Sequence, residues 1–246
     1  MKRWTKIRLS RLRDKSVHAA DEILPRAMHS TTVLPTVVSL QTGQVQPLAI
    51  VGSSGQVARV VDTAIAKKPQ LGSVYCGIEG LAGDHQADRR VHGGIDKAIL
   101  AYSSDHFSYW EDVWGRSPIA GSFGENLTLQ NLTEAQACVG DRYEAGDCIL
   151  EVSQPRQPCF KLAAYQRQPR LVRLVVESGF SGWYFRVVQP GYIRAGAVLQ
   201  LVERPWPEWT ITRANDLLYE KTIDPVAMSE LYLLPQLATA WKRDLG

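Results

Sequence analysis

Cys159 ends a short proline-rich segment that can hold a reactive thiol in place. The segment, Ser153-Gln154-Pro155-Arg156-Gln157-Pro158-Cys159, contains two prolines three residues apart. Each proline fixes its own φ and removes a backbone donor, so neither a helix nor a sheet ladder continues through it easily. We therefore expect a stiff loop directly after a strand that ends near Val152, with Cys159 held at a set angle.

The charge around Cys159 favours its thiolate form. From Val152 to Val176 the sequence has no acidic residue and five basic ones: Arg156, Lys161, Arg167, Arg170 and Arg173. Nearby cations lower the pKa of a thiol, and the thiolate is the form that binds a soft metal or attacks an electrophile. The alternative is a small buried side chain, which is how we interpret Cys148 in its predicted strand.

A second segment gathers cations around two adjacent glycines. It runs from Glu79 to Ala98, and around Gly93-Gly94 it carries His85, Arg89, Arg90, His92 and Lys97. Adjacent glycines let backbone amides approach a ligand closely, and the cations suit a phosphate. A tight turn entering a strand explains the glycines equally well. The two histidines match no standard zinc spacing, and the segment lacks a Walker loop.

Asn126, in the segment from Gly121 to Thr128, is a third candidate binding residue. Its amide offers both donors and an acceptor, which suits recognition of a heterocycle that carries an amide. A turn closed by a local side-chain hydrogen bond would use the same residue, so Asn126 alone does not decide between the two.

Short strands must position these residues. Apolar and β-branched runs separated by Gly, Pro and Asn predict strands at residues 33–40, 98–102, 148–152, 183–188 and 198–202. One helix is predicted from the Ser103-Ser104 cap to Trp114, and another from Pro169 to near Gly179. The predicted fold class is mainly β (α+β): a closed or nearly closed barrel with helices packed on it.

Two prolines near Trp206 mark a linker, after which three short helices are predicted. Thr212 caps the first, Asp224-Pro225 begins the second and Pro235 begins the third. The predicted organisation is a basic extension at residues 1–29, a barrel domain at residues 30–204, and a linker with a small helical domain at residues 205–246. So few helical residues make a shallow core, so we expect docking on the barrel or on another subunit.

Composition and charge distribution exclude some classes of protein. The 246 residues are 45% hydrophobic without an apolar run long enough for a membrane span. The formal charge of +3 arises near the N-terminus, because residues 1–27 hold eight basic and three acidic residues and the remainder sums to −2. A nucleic-acid partner is therefore not expected. We also find no signal-peptide apolar region and no Cys-x-x-Cys pair, which predicts a cytoplasmic protein.

Taken in order, four motifs resemble the MOSC domain family, and within it the YiiM type. They are Gly80-Leu81-x-Gly83-Asp84, Val91-His92-Gly93-Gly94-x-Asp96-x-Ala98, Phe123-Gly124-Glu125-Asn126-Leu127 and Ser153-Gln154-Pro155-Arg156-x-Pro158-Cys159. The resemblance spans residues 33–202, and the tail from Trp209 resembles the three-helix appendage of YiiM-type proteins.

The resemblance implies a β-barrel that holds a pterin molybdenum cofactor, Mo-molybdopterin, in a basic cleft. Cys159 would be the catalytic residue and the metal ligand. The remaining candidates would bind the phosphate or the pterin: Arg156, Arg89, His92, Lys97, Asn126, Ser153 and Gln154. The implied activity is the reduction of N-hydroxylated bases and hydroxylamines, a detoxification, with electrons from a separate flavin or iron–sulfur reductase. A homodimer stays open.

Two other functions stay open for the same residues. The protein could carry or sense the cofactor, or carry sulfur as a persulfide on Cys159, without turnover of its own. It could also be a cysteine hydrolase with Cys159 as nucleophile and His92 as base. The hydrolase ranks last because the chain after Cys159 contains no histidine and no partner to orient His92 can be named.

Overall fold

The structure, a computed structural model, describes residues 33–52 and 54–245. The predicted basic extension, residues 1–29, lies outside the described residues. Within the described part, the strands are β1 (Thr36–Thr42), β2 (Gln46–Val51), β3 (Val57–Thr63), β4 (Lys68–Pro69), β5 (Val74–Gly77), β6 (Gly80–Leu81), β7 (Ile99–Ser103), β8 (Leu127–Gln130), β9 (Arg142–Ala145), β10 (Cys148–Pro155), β11 (Trp183–Gln189), β12 (Gly191–Ile193) and β13 (Leu199–Glu203). The α-helices are α1 (Arg89–His92), α2 (Phe107–Trp114), α3 (Phe160–Gln166), α4 (Leu171–Ser178), α5 (Ile211–Leu218), α6 (Pro225–Leu233) and α7 (Thr239–Leu245), and short 3-10 turns cover Ile95–Lys97 and Ser104–His106.

Eight strands form one curled sheet in the order β13-β9-β10-β11-β7-β8-β1-β4. All neighbours are antiparallel except β7 and β8, which run parallel. The curled sheet is partly closed, because β1 also bonds the chain around the start of β13: Val37 N–H donates to the Ala197 carbonyl at 2.9 Å, and Leu199 N–H donates to the Pro35 carbonyl at 2.8 Å. The curled sheet with its helices confirms the predicted barrel-type fold.

The barrel interior follows the alternation that predicted its strands. In β11, Trp183, Phe185 and Val187 are buried, while Tyr184 and Arg186 between them are half-buried. The facing strand β10 places Leu150 opposite Val187 and Val152 opposite Phe185. Because side chains on a strand alternate between faces, one face of each strand fills the core.

Strand β10 continues further than the sequence predicts. It ends at Pro155, so Ser153 and Gln154 are strand residues and the expected loop after Val152 is wrong. The register shifts between Val152 and Gln154, where an irregularity bends the strand, and Pro155 then pairs with Trp183 as the last strand residue. A proline is tolerated there because its missing N–H interrupts the ladder only at the strand's end.

The two helices predicted beside the barrel are present. The Ser103 hydroxyl accepts the Asp105 N–H before α2, and Gly115 ends that helix with a positive φ of 67°. Helix α4 begins at Leu171, two residues after Pro169, and ends at Gly179 with a φ of 78°. Glycine suits both ends because it adopts positive φ without a steric penalty.

The C-terminal helices differ from prediction at two of three starts. Thr210, not Thr212, caps α5, and its hydroxyl accepts the Arg213 N–H at 3.1 Å. Asp224 caps α6 as predicted. Helix α7 begins at Thr239 rather than Pro235: residues 234–237 form a separate turn, in which the Leu237 N–H donates to the Leu234 carbonyl at 3.2 Å, and the Ala238 N–H donates to the Ser153 carbonyl at 3.0 Å.

These helices share the core of the barrel. Trp209, Leu217, Leu231 and Trp241 are buried in the same apolar cluster as Leu150. The boundary at residue 204/205 stays a prediction. In the residues that the structure describes, no helix has the length and apolar character needed to cross a membrane.

Candidate active site

A cleft open to solvent lies at one end of the barrel, between the two segments singled out by the sequence. The β10–α3 connection forms one wall, and the segment around His92 forms another. The chain that follows β3 completes it. Among the side chains that line it are Ile65, Lys67, Asp84, His92, Lys97, Asn126, Arg156, Cys159, Lys161 and Tyr184.

Cys159 is placed in this cleft by the end of β10. Arg156 N–H donates to the Gly182 carbonyl at 3.0 Å, which ties the first loop residue to the chain before β11. Cys159 itself is extended, with φ −120° and ψ 163°, and α3 begins at the next residue. Its backbone carbonyl accepts the Leu162 N–H at 3.0 Å. The connection is therefore bonded on both sides of the thiol.

The surroundings of Cys159 stabilise its thiolate. Burial by itself raises the pKa of the thiol, but a hydrogen bond with His92 and the charge of Arg156 outweigh it and lower the pKa to about 7. Close to half of such a thiol is ionised at neutral pH, compared with a few per cent of an ordinary cysteine. Cys159 is partly exposed. It therefore presents an ionisable sulfur to a ligand in the cleft.

Arg156 carries an unused donor in the cleft wall. The residue is only 4% exposed. Its Nη2 donates to the Phe123 carbonyl at 3.2 Å, whereas its buried Nη1 has no hydrogen-bond partner. A buried guanidinium nitrogen without an acceptor is costly, so the site favours a ligand that supplies an acceptor atom, an anion most of all.

His92 and Lys97 reach the cleft from a turn. Gly94 has a φ of 89°, and Lys97 N–H donates to its carbonyl at 3.0 Å, so the glycine pair makes the tight turn considered above. Lys97 Nζ lies 5.9 Å from the centre of the Tyr184 ring. Burial lowers the pKa of Lys97, against the opposing effect of Asp244. The side chains of His92 and Lys97 line the same cleft as Cys159.

Asn126 lines the cleft, but its amide is used by the protein. Its Oδ1 accepts the Leu100 N–H at 3.1 Å, and its Nδ2 donates to the Gln41 carbonyl at 3.2 Å. Its neighbour Glu125 accepts N–H groups of Gly121 and Phe123 at 2.7 and 2.9 Å. This motif therefore holds β1, β7 and the cleft wall together, and the predicted contact of Asn126 with a pterin finds no support in these bonds.

Three predicted binding residues lie outside the cleft lining. Arg89 is mostly exposed, pairs with Glu79 at 2.5 Å and borders a separate depression around Tyr75. Ser153 is fully buried and donates to the Asp96 carbonyl at 2.5 Å. Gln154 is also buried, with Oε1 lacking a partner. Arg89 lies on α1, Ser153 and Gln154 lie on β10, and none of the three lines the cleft that contains Cys159.

Lys67 and Asp84 form a cleft feature that the sequence did not reveal. Lys67 Nζ lies 2.5 Å from Asp84 Oδ1, with the two side chains 7% and 2% exposed. Burial lowers the pKa of Lys67, and Asp84 opposes this. Asp84 belongs to a recognised motif, but Lys67 follows an ordinary apolar stretch with no spacing signal. Only the fold brings it beside residues from the other segments.

The described residues contain no group of three or more His, Cys, Asp and Glu side chains that could hold a metal ion by themselves. Cys159 instead offers one thiolate beside several cations. A metal bound through one protein thiolate takes its other ligands from a cofactor, and the cations would bind the negative charge of that cofactor.

Comparison with known proteins places the chain in a family. Residues 88–200 match the MOSC domain, and residues 209–245 match the YiiM-like, 3-alpha helix domain. YflK of Bacillus subtilis, an uncharacterised protein, is 35% identical over 207 residues, which cover 84% of this chain and 91% of YflK. A Gibberella moniliformis protein named Reductase is 34% identical over 185 residues, 74% of this chain but only 33% of the fungal one.

A solved structure agrees with these matches. The crystal structure of YiiM from Geobacillus stearothermophilus superposes with a TM-score of 0.72 at 38% sequence identity, and the match covers 86% of this chain and 97% of that one. The recognised motifs, the barrel and the helical tail therefore point the same way: the chain belongs to the MOSC domain family, as a YiiM-like protein with the C-terminal three-helix domain.

Proposed function

We propose that the protein is a molybdenum-cofactor-dependent reductase of N-hydroxylated compounds, such as 6-N-hydroxylaminopurine and other hydroxylamines, with a detoxifying role in the cytoplasm. The observation that carries the proposal is the pairing of an ionisable thiol, Cys159, with the unused Nη1 donor of Arg156 in one cleft. The MOSC family match and the fungal relative named Reductase support it.

The residues present fit such a cofactor. Cys159 would provide the thiolate ligand to molybdenum, and Arg156 would bind a phosphate oxygen through its free Nη1. Lys97, His92 and Lys161 line the same cleft and would balance the remaining negative charge. When bound, the cofactor supplies the two-electron chemistry that breaks an N–O bond.

The chain's own residues orient the reaction and manage charge. His92 lowers the pKa of Cys159, which increases the ionised share of its sulfur near neutral pH. In the buried Lys67–Asp84 pair, the Lys67 amine lies in the cleft wall, where it would donate a hydrogen bond to the oxygen of the N–OH group. Reduction of R–NHOH to R–NH₂ releases water and takes up two electrons and two protons. The electrons would come from a separate flavin or iron–sulfur reductase.

The test is reduction of 6-N-hydroxylaminopurine by protein purified from a host that makes the cofactor. Dithionite-reduced methyl viologen supplies electrons, and chromatography measures adenine. We expect adenine from the molybdenum-loaded protein and none from protein grown with tungstate. A molybdenum-loaded protein that forms no adenine would contradict the proposal.

A second candidate is a carrier of the cofactor, or of sulfur bound as a persulfide on Cys159. The hydrogen bond between His92 and Cys159 favours it, because a thiolate with a pKa of about 7 is also a good sulfur nucleophile. Bound molybdenum that transfers to an acceptor apoenzyme, without turnover of any hydroxylamine, would place this candidate first.

A further inference from the structure

An exposed aromatic side chain stands directly beside the reactive cysteine. Phe160 follows Cys159 in the chain and is 46% exposed, although large aromatic side chains usually bury most of their surface. The guanidinium of Arg59, on β3, lies 4.6 Å from the centre of its ring. Arg59 is itself exposed. The pair therefore presents an apolar ring and a cation to solvent next to Cys159, which lines the cleft.

Further cations extend from this pair along α3. Lys161 donates to the Asp62 carbonyl at 3.0 Å, which fastens the β2–β3 hairpin to the start of the helix. At the other end of α3, exposed Arg116 donates to Gln166 Oε1 at 2.6 Å, and Arg167 and Arg170 are exposed in the turn that follows. We call Arg59, Arg116, Phe160, Lys161, Arg167 and Arg170 the α3 surface.

We propose that the α3 surface is the docking site for an electron-transfer protein that exposes its redox group within an acidic face. The inference rests on the proposed function, since breaking an N–O bond by reduction consumes two electrons that this chain must receive. The docked carrier is oxidised by one electron in each of two encounters, and two protons from water complete the products, amine and water.

Position and charge together select this kind of partner. Phe160 adjoins Cys159, so a carrier centred on the ring brings its redox group close to the cleft. Aromatic side chains and arginines are enriched at the centres of protein interfaces. Cations steer an acidic partner and speed its association. The sequence from Val152 to Val176, which supplies four of the six residues of the α3 surface, contains no acidic residue.

Direct binding tests the docking site without any need for turnover. Oxidised flavodoxin, an acidic flavoprotein, is titrated into the full chain and its Kd measured by calorimetry. The double variant Arg59→Glu, Arg170→Glu should weaken binding at least about ten-fold, whereas Arg194→Glu, an exposed charge reversal after β12, should change it less than about two-fold. Raising the salt from about 25 to about 250 mM should weaken wild-type binding.

A second experiment distinguishes a loss of docking from a loss of catalytic activity. In the cofactor-loaded protein, the double variant should reduce 6-N-hydroxylaminopurine normally with methyl viologen and at least about ten times more slowly with reduced flavodoxin. Failure of the viologen reaction in the wild type would remove the proposed function, and the Kd values would still decide the docking. The docking proposal is overturned if wild-type protein does not bind flavodoxin, or if the double variant binds as tightly as wild type.

Discussion

Cys148 and Cys159 lie eleven residues apart on one continuous stretch, yet the fold gives them opposite surroundings. Cys148 begins β10, pairs with Ala145 and is fully buried in the barrel core. Cys159 follows β10, is partly exposed, and has His92 and Arg156 beside it. The same residue type therefore packs a core at one end of the strand and supplies chemistry at the other. The barrel core stabilises the fold, and the candidate active site lies where β10 ends.

Replacement of Cys159 tests that contrast most strongly. Cys159→Ala removes the proposed metal ligand, so turnover of 6-N-hydroxylaminopurine should fall at least ~10³-fold. Because the side chain is small and partly exposed, the free energy of unfolding at pH 7 should change by less than about 0.5 kcal/mol. Steady-state kinetics and urea unfolding give the two values. Turnover near the wild-type rate would remove Cys159 from the mechanism.

Arg156→Gln should have the next largest effect. It keeps most of the side-chain volume but loses the charge and the unpaired Nη1. A charge-assisted hydrogen bond to a phosphate contributes about 1.5–3 kcal/mol, so retention of the cofactor should weaken roughly 10- to 100-fold. Molybdenum and pterin that remain after gel filtration measure this, with Arg194→Gln as an exposed control. Equal retention in both variants would contradict the role of Arg156.

His92→Ala should act through the pKa of Cys159. In cofactor-free protein, the rate of Cys159 alkylation by iodoacetamide should rise with pH around a midpoint of about 7. The variant loses the hydrogen bond that holds this pKa down, so the midpoint should rise and alkylation near pH 7 should slow by roughly ten-fold. An unchanged midpoint would show that His92 does not set the pKa.

The lowered pKa of Cys159 also makes the free energy of unfolding depend on pH. A thiol whose pKa is lower in the folded state stabilises the fold above its unfolded pKa, near 9, and loses that contribution as the pH falls through about 7. The contribution of ionised Cys159 is thus largest in alkaline solution. The difference in unfolding free energy between wild type and Cys159→Ala should therefore grow as the pH rises from about 7 to about 9.

Cys148→Ala should affect stability alone. Removing a fully buried sulfur leaves a small cavity, which costs about 1–2 kcal/mol of unfolding free energy, while the rate with viologen should stay within about two-fold of wild type. Chemical unfolding beside the activity assay gives both numbers. A loss of turnover as large as that of Cys159→Ala would mean that the two ends of β10 are not separable.

Local patterns predicted much of the barrel. Trp183, Phe185 and Val187 alternate with polar residues, and that period is enough to place β11. Bonds between distant parts of the chain determine other boundaries of helices and strands. Thr210 and Thr212 are the same residue type two positions apart, but the helix starts at Thr210, which is extended and forms a β-bridge with Cys138 from a distant part of the chain. No local pattern carries such information.

The site residues, like the fold, were predicted only in part. Motif and charge identified Cys159, Arg156, His92 and Lys97, which the fold does bring into one cleft. Arg89 shares a segment with His92, but it is directed to the exposed side and pairs with Glu79. Lys67 was missed because it comes from a chain segment far away in sequence. The spacing of residues within a motif does not show which of their side chains line the cleft.

The most direct test of the account is X-ray absorption at the molybdenum K-edge, on cofactor-loaded wild type and on Cys159→Ser. If Cys159 holds the metal in this cleft, the variant should show one sulfur ligand fewer than wild type. An identical number of sulfur ligands in the two proteins, or a wild type that binds no molybdenum when the cofactor is supplied, would contradict it.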